Sequence, residues 1–502
     1  MPGQIDLTTL DSRLSAAIVV IESVEDRCVQ WEGLLDEIPY YHRSVNWQQL
    51  MADYPPPPHF HQTTGKLSAE EIFDLQSRRF MERVAEAWQT RFYRERWSAV
   101  GLEAGDINNL HDITKIPTFT SDDLKQAIVD APPFGSHHPI RRSDFGKFPL
   151  KIHTSGGTTG MPRPTLFDPI AMEVQGIQTA RAFYAQGGRP GDVIQIPFTA
   201  SLANSGWAAY VGAFGWLGGV PVTTGSGKVT PSERQLAYAA AWGVNGWYIL
   251  GDYLARLTQV ADDTNFDLHQ LPTKYITTFL GPDADSDFRS KLEDAWGAPV
   301  FDNYGSHEVG LVAFECKART RHISEDTAYI EIIDQDNSEV LPDGQVGSVV
   351  ATSLYRGMPP FIRYNLRDRM YLSPHRACAC GICSRSLSAM LGRADEMVKL
   401  RGTNIYPLAC QPAVKGDPRT TGEFICVVSY AGESIGRQEE MVVRVERRTT
   451  EVNSAELTED LRKALYTDLG ARVGVEIVDA GALSDVCGGG DKPRRLLDLR
   501  RR

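Results

Sequence analysis

No stretch of about 18 consecutive apolar residues occurs in this chain of 502 residues, so the sequence offers no membrane-spanning helix. The start, Met1-Pro-Gly-Gln-Ile-Asp6, has no basic segment leading into an apolar core, and no secretory signal is expected. Positive charge is not in excess. The 52 Lys and Arg stand against 64 Asp and Glu, a formal net charge of −12, which argues against a broad nucleic-acid surface. A small anion is not excluded, because local amides and a few cations suffice to hold it. There is no internal repeat. Cysteine is sparse: Cys28, Cys316, Cys410, Cys426 and Cys487 are scattered, whereas Cys378, Cys380 and Cys383 fall together. Without a secretory signal, that clustering suits a reduced, cytoplasmic compartment and a metal better than a disulfide framework.

What is present is ordinary globular material, 42% hydrophobic and 23% charged, in a chain too long for one core. An amphipathic helix is expected over Leu7 to Val24, and Tyr54-Pro-Pro-Pro-Pro-His59 reads as an extended polyproline connector. From Ser68 the pattern turns helical, with Glu71 placed as in a capping box and Phe73, Phe80, Val84 and Trp88 at helical spacing. A further helix is expected after a cap at Ser121-Asp-Asp. Between about 148 and 390, strand-like runs (Val193 to Ile196, Gly219 to Thr223, Trp247 to Leu250, Tyr275 to Leu280, Pro299 to Tyr304) alternate with helical ones (Met172 to Ala185, Pro231 to Trp242). That alternation predicts an α/β domain with mostly parallel sheet, followed by a β-rich part. The division expected is an extension over 1–66, a large α/β domain over 67–394, and a small mobile α+β domain over 395–502 with one helix at Ala455 to Asp468.

The stretch His153-Thr-Ser-Gly-Gly-Thr-Thr-Gly-Met-Pro-Arg-Pro-Thr165 packs three glycines and five hydroxyl residues between apolar runs. Such a loop can turn its amides and hydroxyls toward an anion, and it can equally be a simple turn. No Gly-Lys-Ser/Thr closes it, so it is not a P-loop. Cys378-Ala-Cys-Gly-Ile-Cys383 has the spacing of a thiolate knuckle for a structural Zn²⁺, whose fourth ligand would be Cys316 or His322.

Several further stretches fall in a telling order. Tyr93 to Gly101 and Asp112 to Leu124 are followed by the glycine-rich loop, Leu280-Gly-Pro-Asp283, Asn303-Tyr-Gly-Ser-His-Glu308 and Arg363-Tyr-Asn-Leu-Arg-Asp368. Gly392-Arg-Ala-Asp-Glu-Met-Val-Lys-Leu-Arg-Gly-Thr-Asn-Ile-Tyr-Pro407 and Asp491-Lys-Pro-Arg-Arg-Leu-Leu-Asp-Leu-Arg500 complete the series. From residue 68 to the end the chain resembles the acyl-adenylate-forming superfamily, in particular its phenylacetate–CoA ligases. The resemblance implies activation of a carboxylic acid, of aryl or arylacetic type, to acyl-AMP with ATP, then transfer to coenzyme A. Transfer to an amine or a carrier-protein thiol, and a non-catalytic binding homologue, are the alternatives.

By the resemblance, Thr154, Ser155, Gly156, Gly157, Thr158, Thr159 and Gly160 would grip phosphates, and Gly281, Pro282 and Asp283 would contact adenine. Asn303, Tyr304, Gly305 and Ser306 would continue the nucleotide site, Asp368 would hold the ribose hydroxyls, and Arg393 would join the set. Glu308 would hold Mg²⁺ and Lys492 would meet the charge at the α-phosphate during adenylation. Asp395 would be the hinge and Gly402 would line the pantetheine path of coenzyme A. Phe198, Asn204, Trp207 and Tyr210 would form the acid pocket. Some ligases of this type carry a structural zinc between the same two regions, here Cys316 and Cys378, Cys380, Cys383. The sequence departs from the pattern at three places. The loop has an extra glycine, Met161 stands for the usual lysine with Arg163 as its substitute, and His307 precedes the glutamate. His307 could contact the acyl carboxylate, ligate metal or pack. Expected partners are a small carboxylic acid and a second copy in a homodimer, with no nucleic acid and no membrane.

Overall fold

The computed structural model describes residues 41–155, 163–281, 287–394, 398–400, 403–431, 438–487 and 493–499. The helix expected over Leu7 to Val24 lies outside them. Helix Pro169–Gln186 is the element on which the large domain is built. Asp168 caps its first turn by accepting from the Ala171 amide (2.7 Å), Pro169 occupies the first turn, and Gly187 ends it at φ 116°. The helix is buried nearly all round, as a helix between layers must be. Ala180 and Phe183 pack on Ile194 and Tyr275, Val174 and Ile177 meet Leu50 and Tyr54, and Ala182 meets Phe60 and Phe314.

Beside it runs a nine-stranded sheet. Its first five strands, Val220–Val222, Val193–Gln195, Gly246–Tyr248, Tyr275–Thr278 and Val300–Ser306, are all parallel, in that spatial order. Tyr275–Thr278 is buried at every position, as a parallel strand covered on both faces should be. The sheet then turns antiparallel through Gly310–Glu315, Arg321–Ile323, Cys383–Leu387 and Leu372–Ala377. A separate antiparallel sheet joins Ala328–Ile333, Gly347–Ser353 and Tyr364–Met370, the β-rich part anticipated from the sequence. The hairpin Lys151–Ser155 with Arg163–Phe167 carries the glycine-rich stretch between its strands.

The capping box is formed: the Glu71 carboxylate accepts from the Ser68 amide (2.8 Å) and the Ser68 hydroxyl accepts from the Glu71 amide (3.2 Å). The next expected cap sits one residue earlier, at Thr120, whose amide donates to Asp123 (2.7 Å). The proline run is not a free connector. The Arg181 Nε donates to the Pro55 carbonyl (3.0 Å), and the Arg181 guanidinium lies 4.0 Å from the centre of the buried Phe60 ring. Arg181 also pairs with Asp326 (2.9 Å), both side chains fully buried, so residues 45–60 are tied into the large domain's core.

At the C-terminal end, Gly474–Val478, Gln438–Arg447, Thr420–Ala431 and Leu496–Asp498 form a mixed four-stranded sheet. Helix Ser454–Leu469 lays Leu457, Leu461, Leu465 and Leu469 on it, one residue per turn, against Phe424, Cys426, Val443 and Val445. Asn453 caps it and Gly470, at φ 62°, ends it. This gives the C-terminal part its own core.

Tyr93, from the helix Arg91–Ala99, ties two parts of the large domain together. Its hydroxyl donates to the Pro360 carbonyl (3.0 Å) and accepts from the Ile362 amide (3.1 Å), just ahead of Arg363. Tyr93→Phe leaves both groups buried and unpaired, so we expect a loss of about 1–2 kcal/mol in urea denaturation. A midpoint equal to that of the unsubstituted protein would remove this role from the hydroxyl.

Candidate active site

Two groups of hydrogen-bonded side chains meet where the strand Val300–Ser306 turns into Gly310–Glu315. In the first, Glu308 is buried and ion-paired with Arg163, from the second strand of the glycine-rich hairpin, and accepts from the Tyr364 hydroxyl (3.2 Å). Burial works to lower the Arg163 pKa, but Glu308 and Tyr364 outweigh it and hold it raised. Arg163, expected to substitute for the loop lysine, therefore contacts the carboxylate expected to hold Mg²⁺. In the second group, the Tyr304 hydroxyl donates to Asp368 Oδ2 (2.7 Å) and Arg393 pairs with Asp368 Oδ1 (2.5 Å). Burial first, then Asp368, pushes the Tyr304 hydroxyl far above its ordinary range, so it remains a donor. Neither Arg363 nor Arg367 takes Asp368: Arg363 forks onto Glu331 (2.9 and 3.1 Å), and Arg367 pairs with Asp122 (3.0 Å).

The turn is built for closeness. A Cβ on Gly305 would lie 2.5 Å from the Gly310 carbonyl oxygen, so only glycine lets the hairpin strands approach at the bulge after Tyr304. The Ser306 hydroxyl accepts from the Val309 amide (3.2 Å), holding the turn that carries His307 and Glu308. The fully buried Arg356 spans the gap from this turn to the glycine-rich hairpin. It donates to the carbonyls of His307 (3.3 Å), Glu308 (3.0 Å) and Leu166 (3.0 Å), and lies 4.0 Å from the centre of the Phe167 ring. Sequence reasoning passed over Arg356 and gave no role to Tyr364. Arg356 sits in an apolar context, Leu354-Tyr355-Arg356, and that context is its only signal.

The segment after Phe198 reaches the same place. The Leu202 carbonyl accepts from the Thr154 amide (2.8 Å) and from His153 Nδ1 (3.0 Å). Asn204 donates to Gln175 Oε1 (2.8 Å) and accepts from His307 Nδ1 (3.3 Å). Burial lowers the His153 pKa to about 4 and the His307 pKa to about 3, so both rings are neutral near pH 7. Phe198 packs against Tyr248 (5.1 Å), whose hydroxyl bonds Ser205 (2.9 Å). Trp207 donates to the Ser201 carbonyl (2.9 Å) and lies under the Lys151 ammonium (3.7 Å).

Three expectations meet a different arrangement. Asn303 spends its amide inside the sheet, donating to the carbonyls of Thr278 (2.9 Å) and Phe301 (3.2 Å) and accepting from Gln186 (3.0 Å). With both donors used there, its side chain braces the strand instead of facing a nucleotide. Tyr210 stacks on Phe214 (5.7 Å) at an exposed face and does not join Phe198 and Asn204. Cys383 lies outside the thiolate group, 3.8 Å from His375 Nδ1. The ligand atoms of Cys316, His322, Cys378 and Cys380 instead gather within 4.8 Å of one another, so both candidate fourth ligands belong to one set. Gly281 takes φ 61° beside Leu280, whose amide donates to Asp302 (2.7 Å). Gly156, Gly157, Thr158, Thr159, Gly160, Met161, Pro282, Asp283, Asp395, Gly402 and Lys492 lie outside the described residues.

The large domain thus has a five-strand parallel core and a second β-rich sheet, and the C-terminal unit has a core of its own. Comparison with known proteins gives the chain its relatives. Residues 402–500 match the family described as the AMP-binding enzyme C-terminal domain. The phenylacetate-coenzyme A ligase of Aromatoleum evansii is 28% identical over 447 residues, 87% of this chain and 96% of that one. That of Thermus thermophilus is 27% identical, covering 87% and 98%. Among solved structures, 2-hydroxyisobutyryl-CoA ligase in the postadenylation state superposes with a TM-score of 0.78 at 23% identity, over 93% of this chain and 97% of that one. Over most of its length the chain is thus similar to phenylacetate-coenzyme A ligases, and it shares the fold of a solved CoA ligase. Among the described residues no helix is long and apolar enough to cross a membrane.

Proposed function

We propose that this chain is an AMP-forming acid–thiol ligase. It joins a carboxylic acid to the α-phosphate of ATP, releases pyrophosphate and passes the acyl group to coenzyme A. The observation that carries the reading is the pair of charge clusters on one strand and turn: Tyr304 with Asp368 and Arg393, and Glu308 with Arg163 and Tyr364. Adenylation brings a polyanion and an anionic acid together, so its site must combine cations and donors with a carboxylate for a hard metal ion. Arg163 supplies the cation beside the glycine-rich hairpin, and Glu308 supplies the oxygen that Mg²⁺ prefers. Asp368, aligned by Tyr304 and Arg393, is a bidentate acceptor suited to ribose hydroxyls. The similarity to enzymes named phenylacetate-coenzyme A ligases supports an aryl or arylacetic acid and coenzyme A as acceptor.

The test is acid-dependent ATP–pyrophosphate exchange across a panel of carboxylates, followed by addition of coenzyme A. Exchange followed by AMP and thioester release is expected. Exchange that coenzyme A leaves unchanged would move the acceptor to an amine or a carrier-protein thiol.

Cys316, His322, Cys378 and Cys380 fit a structural Zn²⁺. Two thiolates each about 2.3 Å from the ion at a tetrahedral angle are separated by about 3.8 Å, and Cys316 and Cys378 Sγ are 3.8 Å apart. His322 directs Nε2 to Cys380 (3.2 Å), while its Nδ1 is oriented by the Ser384 hydroxyl (2.8 Å), the outer contact that fixes a ligating imidazole. The ion would clip Cys378 and Cys380 to the strands Gly310–Glu315 and Arg321–Ile323 and take no part in the chemistry. Elemental analysis should find about one zinc per chain, lost in Cys380→Ser and His322→Ala and kept in Cys383→Ser. Zinc lost with Cys383 would restore that residue as a ligand. None of the seven cysteines among the described residues is in a disulfide, which is consistent with a reducing setting.

A further inference from the structure

The strand Arg163–Phe167 is half of a two-stranded hairpin, and its backbone groups point alternately toward the partner strand and away from it. Pro164 and Leu166 share the outward direction: the Leu166 amide and carbonyl both take partners outside the hairpin, as does the Thr154 amide opposite Pro164. Pro164 has no N–H to offer. The Leu166 amide is therefore the strand's one outward donor, and with Leu166 fully buried it needs an acceptor from the protein.

His138 supplies that acceptor. Its Nε2 accepts from the Leu166 amide (3.1 Å), and its Nδ1 lies 2.6 Å from the Phe134 carbonyl. A carbonyl can only accept, so Nδ1 carries the proton and Nε2 presents its lone pair. Both contacts call for the same neutral ring. Burial, opposed by the Phe134 bond, takes the His138 pKa down to about 3, so the ring keeps that form near pH 7.

The imidazole is itself anchored. It follows helix Ser121–Asp130 by a short turn, in which the Gly135 amide donates to the Ala131 carbonyl (2.8 Å) and the Ser136 amide to the Ala127 carbonyl (3.1 Å). The Ser136 carbonyl in turn accepts from the Phe92 amide (3.2 Å). At the start of the same helix, the Ser121 carbonyl meets Arg163 Nη1 (3.5 Å). The strand is thus held to this helix region at Arg163 and again at Leu166. Arg356 takes the Leu166 carbonyl (3.0 Å) together with the Glu308 carbonyl (3.0 Å). A tilt of the strand about Leu166 would carry Arg163 away from Glu308, its ion-pair partner.

We propose that His138 is a positioning residue for adenylation: with Arg356 it clamps the Leu166 peptide and so fixes the strand that presents Arg163 to Glu308. This rests on the adenylating function proposed above and adds a residue to it that touches neither substrate nor metal.

The experiment sets His138→Asn against His138→Gln. An Asn amide reaches the place of Nδ1 and keeps the bond to Phe134, whereas a Gln amide reaches the place of Nε2 and keeps an acceptor for Leu166. Each variant loses one of two buried hydrogen bonds, so a purely structural residue would show similar losses in both. Positioning predicts a split. In ATP–pyrophosphate exchange, kcat should fall about 10- to 100-fold in His138→Asn and stay within about threefold of the unsubstituted value in His138→Gln, with KM for ATP nearly unchanged in both. Hydrogen exchange at the Leu166 amide reads the contact without turnover: its protection should drop about tenfold or more in His138→Asn and persist in His138→Gln. Equal kcat values in the two variants, or undiminished Leu166 protection in His138→Asn, would overturn the inference and leave the ligase reading intact. Unfolding of either variant would overturn it too, because the loss would then be one of structure. No exchange with any acid, in folded unsubstituted protein, would overturn both readings.

Discussion

Arg356→Leu should lower acid-dependent ATP–pyrophosphate exchange by about 100-fold, because displacements near 1 Å in a positioning framework cost that much. The guanidinium holds three carbonyls, two on the turn that carries His307 and Glu308 and one on the hairpin strand at Leu166. Leucine matches much of its volume but offers no donor, so three acceptors lose a partner in a buried place. The folded state should lose about 3–5 kcal/mol, since each orphaned buried group costs about 1–3 kcal/mol and relaxation recovers part of the sum. Contact with the Phe167 face at 4.0 Å adds an attraction that leucine replaces only by dispersion. Arg356→Lys separates charge from geometry. A lysine keeps the cation but cannot reach both loops as a planar fork does, so it should recover stability in part and activity little. Urea denaturation and exchange kinetics on both variants check this, and near-normal exchange in Arg356→Leu would show that the turn holds its place without the bridge.

The sequence was readable wherever function or folding is local. Parallel strands announced themselves because each is a short β-branched or aromatic run between helical patterns, and Ser68 with Glu71 made a cap that needs only four residues. The motif containing Tyr304 and Glu308 could be located by its order among others. What it touches could not. Arg163 is far from Glu308 in sequence, and nothing about an arginine after Met161-Pro162 says that it will close on that carboxylate. Asn303 misled for the complementary reason: a polar residue inside a motif looks like a ligand contact, yet Gln186, from the central helix, claims it from across the core. Cys383 misled through spacing. The knuckle pattern suggested three thiolates from one turn, whereas two inner strands of the sheet bring in both Cys316 and His322 and complete a set of four without the third thiol. Long-range pairing decides all three, and a pattern along the chain does not encode it.

Lys492→Ala should abolish exchange, a loss of about 1,000-fold or more, as expected when one preorganised charge is removed from a water-excluded transition state. The lysine itself lies outside the described residues, but the chain just beyond it is firmly held. Arg495 is buried and donates to Glu423 (2.9 Å) and the Phe424 carbonyl (2.7 Å), while Leu496–Asp498 pairs in parallel with Cys426 to Val428. Those anchors belong to the C-terminal unit, which Lys492 adjoins in sequence. If the unit presents Lys492 for adenylation and turns about the segment at Asp395 for the thiol step, the substitution should separate the two half-reactions. Thioester formation from preformed acyl-AMP and coenzyme A should then proceed within a few-fold of the unsubstituted rate, and ATP should bind within a few-fold too, because a contact made only in the transition state contributes nothing to ground-state affinity. Loss of both half-reactions would mean that Lys492 shapes the unit instead of acting once within it. Undiminished exchange would remove it from the chemistry, leaving Arg163, on the glycine-rich hairpin, as the candidate cation.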